Sequence, residues 1–70
     1  MNKTYNLNGE EYIELVSLLK ILKIAESGGQ AKMFVSNGEV LRNGQPESRK
    51  RAKLRTGEEI EIFGIKIRIE

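Results

Sequence analysis

The chain has 70 residues, a net charge of +2, and neither cysteine nor histidine. Disulfide bonds, thiolate metal sites and imidazole chemistry are therefore excluded, and a chain this short has little room for a pocket that surrounds a substrate. We expect one non-catalytic domain over residues 1–70, with no cofactor and no metal site. No apolar run approaches the roughly 20 residues that span a bilayer, and the N-terminus has no apolar signal segment, so a cytoplasmic location is expected.

The first third of the sequence predicts a short strand followed by a long helix. Apolar and polar residues alternate at 5–7, which favours the strand. Asn8 and Glu11 have the spacing of a capping box, and apolar residues then follow the helical period over 12–24. A heavily buried helix is therefore predicted over about 9–24.

A second, shorter helix is predicted from a cap at each end. Ser27 is the expected N-cap, and Asn37-Gly38 is typical of a helix C-terminus. Gly28 and Gly29 fall in the first turn, where each costs about 1 kcal/mol relative to alanine. Two interpretations remain open: a plain turn between helices, or a place where a ligand approaches the backbone closely.

The second half of the chain is predicted to form strands separated by tight turns, because apolar residues alternate there between pairs that contain glycine. The predicted elements are a strand at 39–42, a turn at 43–44, a loop at 45–48, a turn at 56–57, and a hairpin of strands 58–62 and 65–69. The fold class is therefore α+β, with two helices packed on one side of a small, mostly antiparallel sheet of three to four strands.

Positive charge is concentrated in one segment of the chain. Residues 42–55 carry a net charge of +5, whereas the remaining residues together carry −3. The cations of this segment are Arg42, Arg49, Lys50, Arg51, Lys53 and Arg55. A local cationic face of this kind is typical of proteins that bind a polyanion, although a charge run can also be an ordinary solvated surface.

An ordered set of residues resembles a known family. The set is Ser27-x-x-x-Ala31-x-x-Phe34-Val35-x-x-Gly38-x-Val40-x-x-Asn43-Gly44, followed by Gly57-Glu58-x-Ile60. It resembles the small RNA-binding domain first recognised in ribosomal small-subunit protein four, which is also found in pseudouridine synthases and tyrosyl-tRNA synthetases. The resemblance covers about residues 12–62 and implies the alpha-L RNA-binding motif, with RNA as the partner. The chain departs from the family at Gly28, where an arginine is usual, and at Arg42, where a valine is usual.

The predicted RNA-binding site has two parts that we expect to converge in the fold. Free amides at the start of the second helix form an anion site, with a charge from Lys32 and a hydrogen-bonding neighbour in Gln30. The basic run follows the phosphate backbone. The candidate residues are Ser27, Gly28, Gly29, Gln30, Lys32, Arg42, Arg49, Lys50, Arg51, Lys53 and Arg55.

The expected target is structured or double-stranded RNA, such as ribosomal RNA or a ribosome-assembly intermediate. The chain has only four aromatic residues, and single-strand binders generally need exposed aromatic platforms. Three alternatives stay open: an adaptor whose basic face docks an acidic protein, an accessory domain that serves an RNA-modifying enzyme in trans, and a DNA-binding domain. A monomer is expected, and a ribosomal or RNA-modifying protein is a further possible partner.

Overall fold

The computed structural model describes residues 1–70 and contains two helices and seven short strands. The elements are β1 (Asn2–Tyr5), β2 (Ile13–Glu14), α1 (Leu15–Ile21), α2 (Gly28–Ser36), β3 (Val40–Arg42), β4 (Gln45–Pro46), β5 (Lys53–Leu54), β6 (Glu59–Ile62) and β7 (Ile65–Ile69). Five strands form one sheet in the order β1-β7-β6-β3-β4, and β2 pairs with β5 separately. Only the β1–β7 pair is parallel. The predicted α+β fold is confirmed, but the main sheet has five strands, not three to four.

Both helices pack on one face of the main sheet around a single apolar core. The core residues of the helices and the sheet that are at most 1% exposed are Leu15, Leu18, Leu19, Ala31, Val35, Val40, Ile60, Ile62, Ile67 and Ile69. The alternation of apolar and charged residues places the isoleucines of β6 and β7 on this face, as predicted. Neither helix has the length and apolarity needed to cross a bilayer.

The first helix is much shorter than the predicted 9–24. Asn8 and Gly9 both have positive φ angles, 53° and 90°, so they form a turn and not a helix start. The backbone before α1 is held by pairing between distant segments, because Ile13 pairs with Leu54. Glu14 takes the N-cap position without a side-chain hydrogen bond. Ile13 is therefore buried by pairing with a distant strand and not by a helix, although its position fits the helical period.

The ends of the two helices have the same geometry. Beyond α1, Lys23 has a φ of 60°, and the Ile24 N–H donates to the Leu19 carbonyl at 3.0 Å. Beyond α2, Gly38 has a φ of 75°, and the Glu39 N–H donates to the Phe34 carbonyl at 3.2 Å. Both are Schellman ends, in which a left-handed residue stops the helix. The predicted end at Asn37-Gly38 is confirmed, whereas the predicted helix to residue 24 is wrong because Lys23 leaves the helical conformation.

Two strands differ from the sequence prediction. The strand predicted at 5–7 lies instead at Asn2–Tyr5, where it pairs with β7. Residues 45–48 were expected to be a loop, but Gln45–Pro46 pairs with β3 as an edge strand. Proline is tolerated there because an edge strand leaves one side of its backbone without partners. The strands near 39–42, 58–62 and 65–69 are confirmed.

Candidate nucleic-acid interface

Residues 49–55, which we call the basic loop, expose all five of their cationic side chains. These are Arg49, Lys50, Arg51, Lys53 and Arg55. Between them, Ala52 and Leu54 are only 4% and 0% exposed and join the core. The loop is therefore attached to the domain by its apolar residues, while its charges face solvent.

The start of α1 holds the backbone of the basic loop. The Leu15 N–H donates to the Ala52 carbonyl at 2.9 Å, and the Val16 N–H donates to the Lys50 carbonyl at 3.2 Å. The first amides of a helix have no partner within the helix. Here the loop carbonyls satisfy two of them, which explains how α1 begins without a capping side chain.

Arg42 lies beneath the basic loop and donates three hydrogen bonds inside the protein. Its Nε donates to Glu58 Oε1 at 2.6 Å, its Nη1 to Glu47 Oε1 at 3.0 Å, and its Nη2 to the Lys53 carbonyl at 2.9 Å. Its side chain is 20% exposed. We expected Arg42 to contact the RNA backbone, but the structure engages its guanidinium in this internal network.

The two carboxylates of the network also hold amides of the basic loop. Glu47 Oε2 accepts from the Arg49 N–H at 3.0 Å, and Glu58 Oε2 accepts from the Arg55 N–H at 2.7 Å. For Glu47, burial acts to raise the pKa, but the hydrogen bonds from Arg49 and Arg42 outweigh it, so the pKa lies below its ordinary value. The hydrogen bond from Arg42 is the main cause that lowers the pKa of Glu58. Both groups are therefore charged at neutral pH.

Tyr12 lies beside the C-terminal half of the basic loop. The Lys53 Nζ is 5.0 Å and the Arg55 Cζ 5.7 Å from the centre of its ring, which is within the range of a cation–π contact. The residue is 36% exposed. The sequence pattern did not reveal this role, because Tyr12 fits the apolar stripe of the predicted helix.

The start of α2 has the predicted cap. Ser27 Oγ accepts from the Gln30 N–H at 3.1 Å, which confirms Ser27 as the N-cap. Gln30 Oε1 accepts from the Glu26 N–H at 2.6 Å, so this side chain belongs to the cap itself. The N–H groups of Gly28 and Gly29 have no acceptor within the protein. Lys32 is exposed one turn further along the helix.

The two predicted parts of the site meet different ends of α1. Its first residues hold the basic loop, whereas Lys20, in its last turn, packs beside Gly28 of α2. At about 1.5 Å per residue, the seven residues of α1 span roughly 10 Å. No hydrogen bond or ion pair joins the basic loop to the first turn of α2. Their use as one site remains a prediction, to which the structure adds Lys20.

Three of the five cations of the basic loop line an open cleft of about 380 Å³. Its lining residues are Arg42, Arg49, Arg51, Ala52 and Lys53. The ion pair of Arg49 with Glu47 is 3.4 Å long and leaves the arginine side chain 74% exposed. Lys50, Arg51, Lys53 and Arg55 form no ion pair. The guanidinium and ammonium groups that line this cleft can donate hydrogen bonds to the oxygens of an anion. Nowhere in the protein are three or more carboxylates grouped to hold a metal ion.

Comparison with known proteins assigns this chain to a family. The sequence model of the S4 domain matches residues 5–70. The chain belongs to the S4 domain family. It is 35% identical over 66 residues to YbcJ of Escherichia coli (strain K12), a protein named as a candidate RNA-binding protein, and the match covers 94% of each chain. It is 44% identical over 54 residues to RlbA of Bacillus subtilis (strain 168), named as a probable ribosome maturation protein, with 77% of this chain and 76% of RlbA covered.

A solved structure is similar over almost the whole chain. The solution structure of Escherichia coli YbcJ superposes with a TM-score of 0.72 at 35% identity. The superposition covers 94% of this chain and 84% of YbcJ. The YbcJ structure is described as revealing an alpha-L motif involved in RNA binding. The S4 domain and the alpha-L fold of this chain therefore agree with the resemblance found in its sequence.

Proposed function

We propose that this chain is a non-catalytic RNA-binding protein that recognises structured RNA through its basic loop. One observation carries the proposal: an S4 domain presents five exposed cations on a loop whose backbone is fixed at several points. A loop with a fixed backbone suits the phosphates of folded RNA, because little ordering of the loop is then needed on binding. The name of YbcJ and the motif described in its structure support RNA as the polyanion.

The start of α2 is the second contact in this proposal. Its two glycine amides are free to donate to a phosphate, and Lys20 and Lys32 add charge nearby. The basic loop lies about one helix length away, so a single folded RNA can reach both. Tyr12 is the one aromatic side chain in contact with the loop cations. Recognition is therefore expected to depend mainly on shape and phosphate positions, with little reading of base sequence.

Ribosomal RNA or a ribosome-assembly intermediate is the proposed target. The name of RlbA, a relative that shares most of the chain, supports a role in ribosome maturation. The protein is expected to act as a monomer in the cytoplasm. Adaptor function toward an acidic protein is an alternative that the same binding experiments distinguish, whereas service to an RNA-modifying enzyme in trans would show as activity only when that enzyme is present.

A matched pair of double variants tests the proposal. Lys50→Gln with Arg51→Gln removes two charges from the basic loop, and Lys66→Gln with Arg68→Gln removes two exposed charges from β7. In filter binding to a structured ribosomal RNA fragment, the first pair should lower affinity at least about tenfold. It should also reduce the slope of log K against log salt by roughly 1.4–1.8. The β7 pair should have little effect.

The competitors decide which polyanion is bound. Duplex RNA should displace the fragment better than duplex DNA or heparin does, because the 2′-hydroxyl and the A-form shape distinguish RNA. Equal competition by heparin would indicate a general anion surface and favour the adaptor. Equal losses for the two double variants would remove the basic loop from its proposed role.

A further inference from the structure

We infer that Glu47 and Glu58 are positioning residues of the basic loop, so that two negative charges increase the affinity for RNA. This inference rests on the proposed function. It goes beyond the proposed function by giving two acidic residues a favourable role in RNA binding. Simple electrostatics predicts the opposite effect, because a carboxylate near a phosphate site repels the ligand. The two carboxylates and Arg42 together carry a net charge of −1 directly beneath the cationic surface.

The carboxylates hold the basic loop at its two ends. Glu47 accepts from the amide of Arg49, the first residue of the loop, and Glu58 accepts from the amide of Arg55, the last. Arg42 lies between them, bonded to both carboxylates and to the Lys53 carbonyl. With the bonds from α1 to Lys50 and Ala52, five backbone groups within seven residues are fixed.

This anchoring determines where the charges lie. Five like charges in seven residues repel one another, so an unanchored loop would spread and sample many conformations. Ordering the backbone of such a loop on an RNA would cost free energy. The carboxylates remove that cost before binding, because they act on the backbone and leave the side chains of Lys50 and Arg51 free for phosphates.

Glutamine variants separate anchoring from charge. Each glutamate uses both oxygens as acceptors. In Glu47→Gln or Glu58→Gln, one oxygen becomes an NH₂ group that faces another donor, so an anchor is lost while the size of the side chain is kept. Glu39→Gln is the control, because Glu39 is exposed and its carboxylate makes no ion pair or hydrogen bond. All three variants change the net charge by the same amount.

Affinity for a structured ribosomal RNA fragment is measured by filter binding, at a temperature where circular dichroism shows each variant fully folded. We expect Glu47→Gln and Glu58→Gln to bind at least about tenfold more weakly, although both are more positive than the wild type. The slope of log K against log salt should fall by about one phosphate contact, or 0.7–0.9. Glu39→Gln should bind as well as the wild type or slightly better.

Two further measurements keep the test independent of a general loss of stability. Amide hydrogen exchange should speed up at Arg49 in Glu47→Gln and at Arg55 in Glu58→Gln, while the core amide of Ile67 stays protected. If a glutamine variant does not fold, Glu47→Asp keeps the charge but shortens the side chain, and it should also weaken binding.

The inference and the proposed function can fail separately. If the wild type binds RNA and the Lys50/Arg51 double variant weakens it, but the glutamine variants bind as tightly as Glu39→Gln or more tightly, the carboxylates do not position the loop. If neither the wild type nor the loop variant distinguishes RNA from heparin, the proposed function itself is wrong.

Discussion

Replacing the two glycines at the start of α2 by alanine should change stability and RNA affinity in opposite directions. A Cβ at residue 28 would lie 3.9 Å from Lys20 Cδ, and one at residue 29 would lie 3.9 Å from Ser27 Oγ, which are ordinary contacts. Neither glycine has a positive φ. Nothing inside the protein therefore requires glycine at either position.

The expected gain in stability follows from the conformational freedom of glycine in the unfolded chain. Gly→Ala at a compatible helical position stabilises a protein by about 0.4–1 kcal/mol, so the pair should contribute about 1 kcal/mol or somewhat more. For a domain of this size, each 1 kcal/mol raises Tm by about 4–8 °C. Thermal unfolding followed by circular dichroism measures this directly.

RNA affinity should decrease in the same double variant. The free amides of Gly28 and Gly29 can approach a phosphate closely only while no Cβ shields them. We expect a loss of about three- to tenfold, equivalent to weakening one hydrogen bond to a charged group. Ser36→Ala, in the last turn of α2, is the control: it should raise Tm slightly without changing affinity. Unchanged RNA affinity in the glycine variant would favour the interpretation of the two glycines as a plain turn between helices. A lower Tm would refute the argument that a Cβ fits at both positions.

Three other predictions concern the network, the core and Tyr12. The pKa values of Glu47 and Glu58 are lowered by folding, so their contribution to stability is complete above the ordinary carboxyl range and is lost as pH falls below about 4.5. Urea unfolding at a series of pH values should show this loss of stability in acid, and an equally steep loss in the Glu47→Gln/Glu58→Gln double variant would contradict the prediction. Ile67→Ala should cost about 2–5 kcal/mol and Ile67→Val about 0.5–1.5 in urea unfolding, because Ile67 is fully buried in the sheet; equal costs would indicate a loosely packed site. Tyr12→Leu should lower the free energy of unfolding by about 0.5–1 kcal/mol because it removes the cation–π contacts, whereas Tyr12→Phe keeps the ring and should keep this stability. Identical free energies of unfolding for the two variants would exclude a contribution from these contacts.

The parts of the fold that could be predicted depend on local signals. The hairpin of β6 and β7 combines alternating isoleucines with the Phe63-Gly64 turn, where both residues have the positive φ of a two-residue hairpin loop. The start and end of α2 were likewise predictable from Ser27 and from Asn37-Gly38. In each case, the residues that determine the element lie within it or next to it.

The errors arose where distant segments decide the local structure. The helix predicted over 9–24 is shortened at its start because Ile13 is buried by pairing with Leu54, 41 positions away. A buried residue of a short strand pair and a buried helical residue are indistinguishable over a few positions of an apolar pattern. Gln45–Pro46 was missed for a different reason: its partner β3 is adjacent across the Asn43-Gly44 turn, but a two-residue strand that contains proline has no apolar alternation of its own.

The site shows the same division between local and distant information. Exposure of Arg51, Lys53 and Arg55 follows from their alternation with Ala52 and Leu54 and could be predicted. The role of Arg42 could not, because its acceptors come from Glu47, Glu58 and Lys53. One signal was available: Glu47 is the only acidic residue between positions 42 and 55, and an isolated acid within a cationic run is a candidate ion-pair partner.

The network beneath the basic loop is better explained by geometry than by stability. Desolvation of a partly buried ion pair commonly offsets its electrostatic attraction, and apolar replacements are often equally stable. An apolar side chain, however, has no atoms that could bind the amides of Arg49 and Arg55 or the carbonyl of Lys53, and these backbone groups need polar partners. In the proposed complex, Arg42, Glu47 and Glu58 therefore belong to the same functional unit as the loop they hold, although the RNA contacts the loop and the start of α2 and not these three side chains.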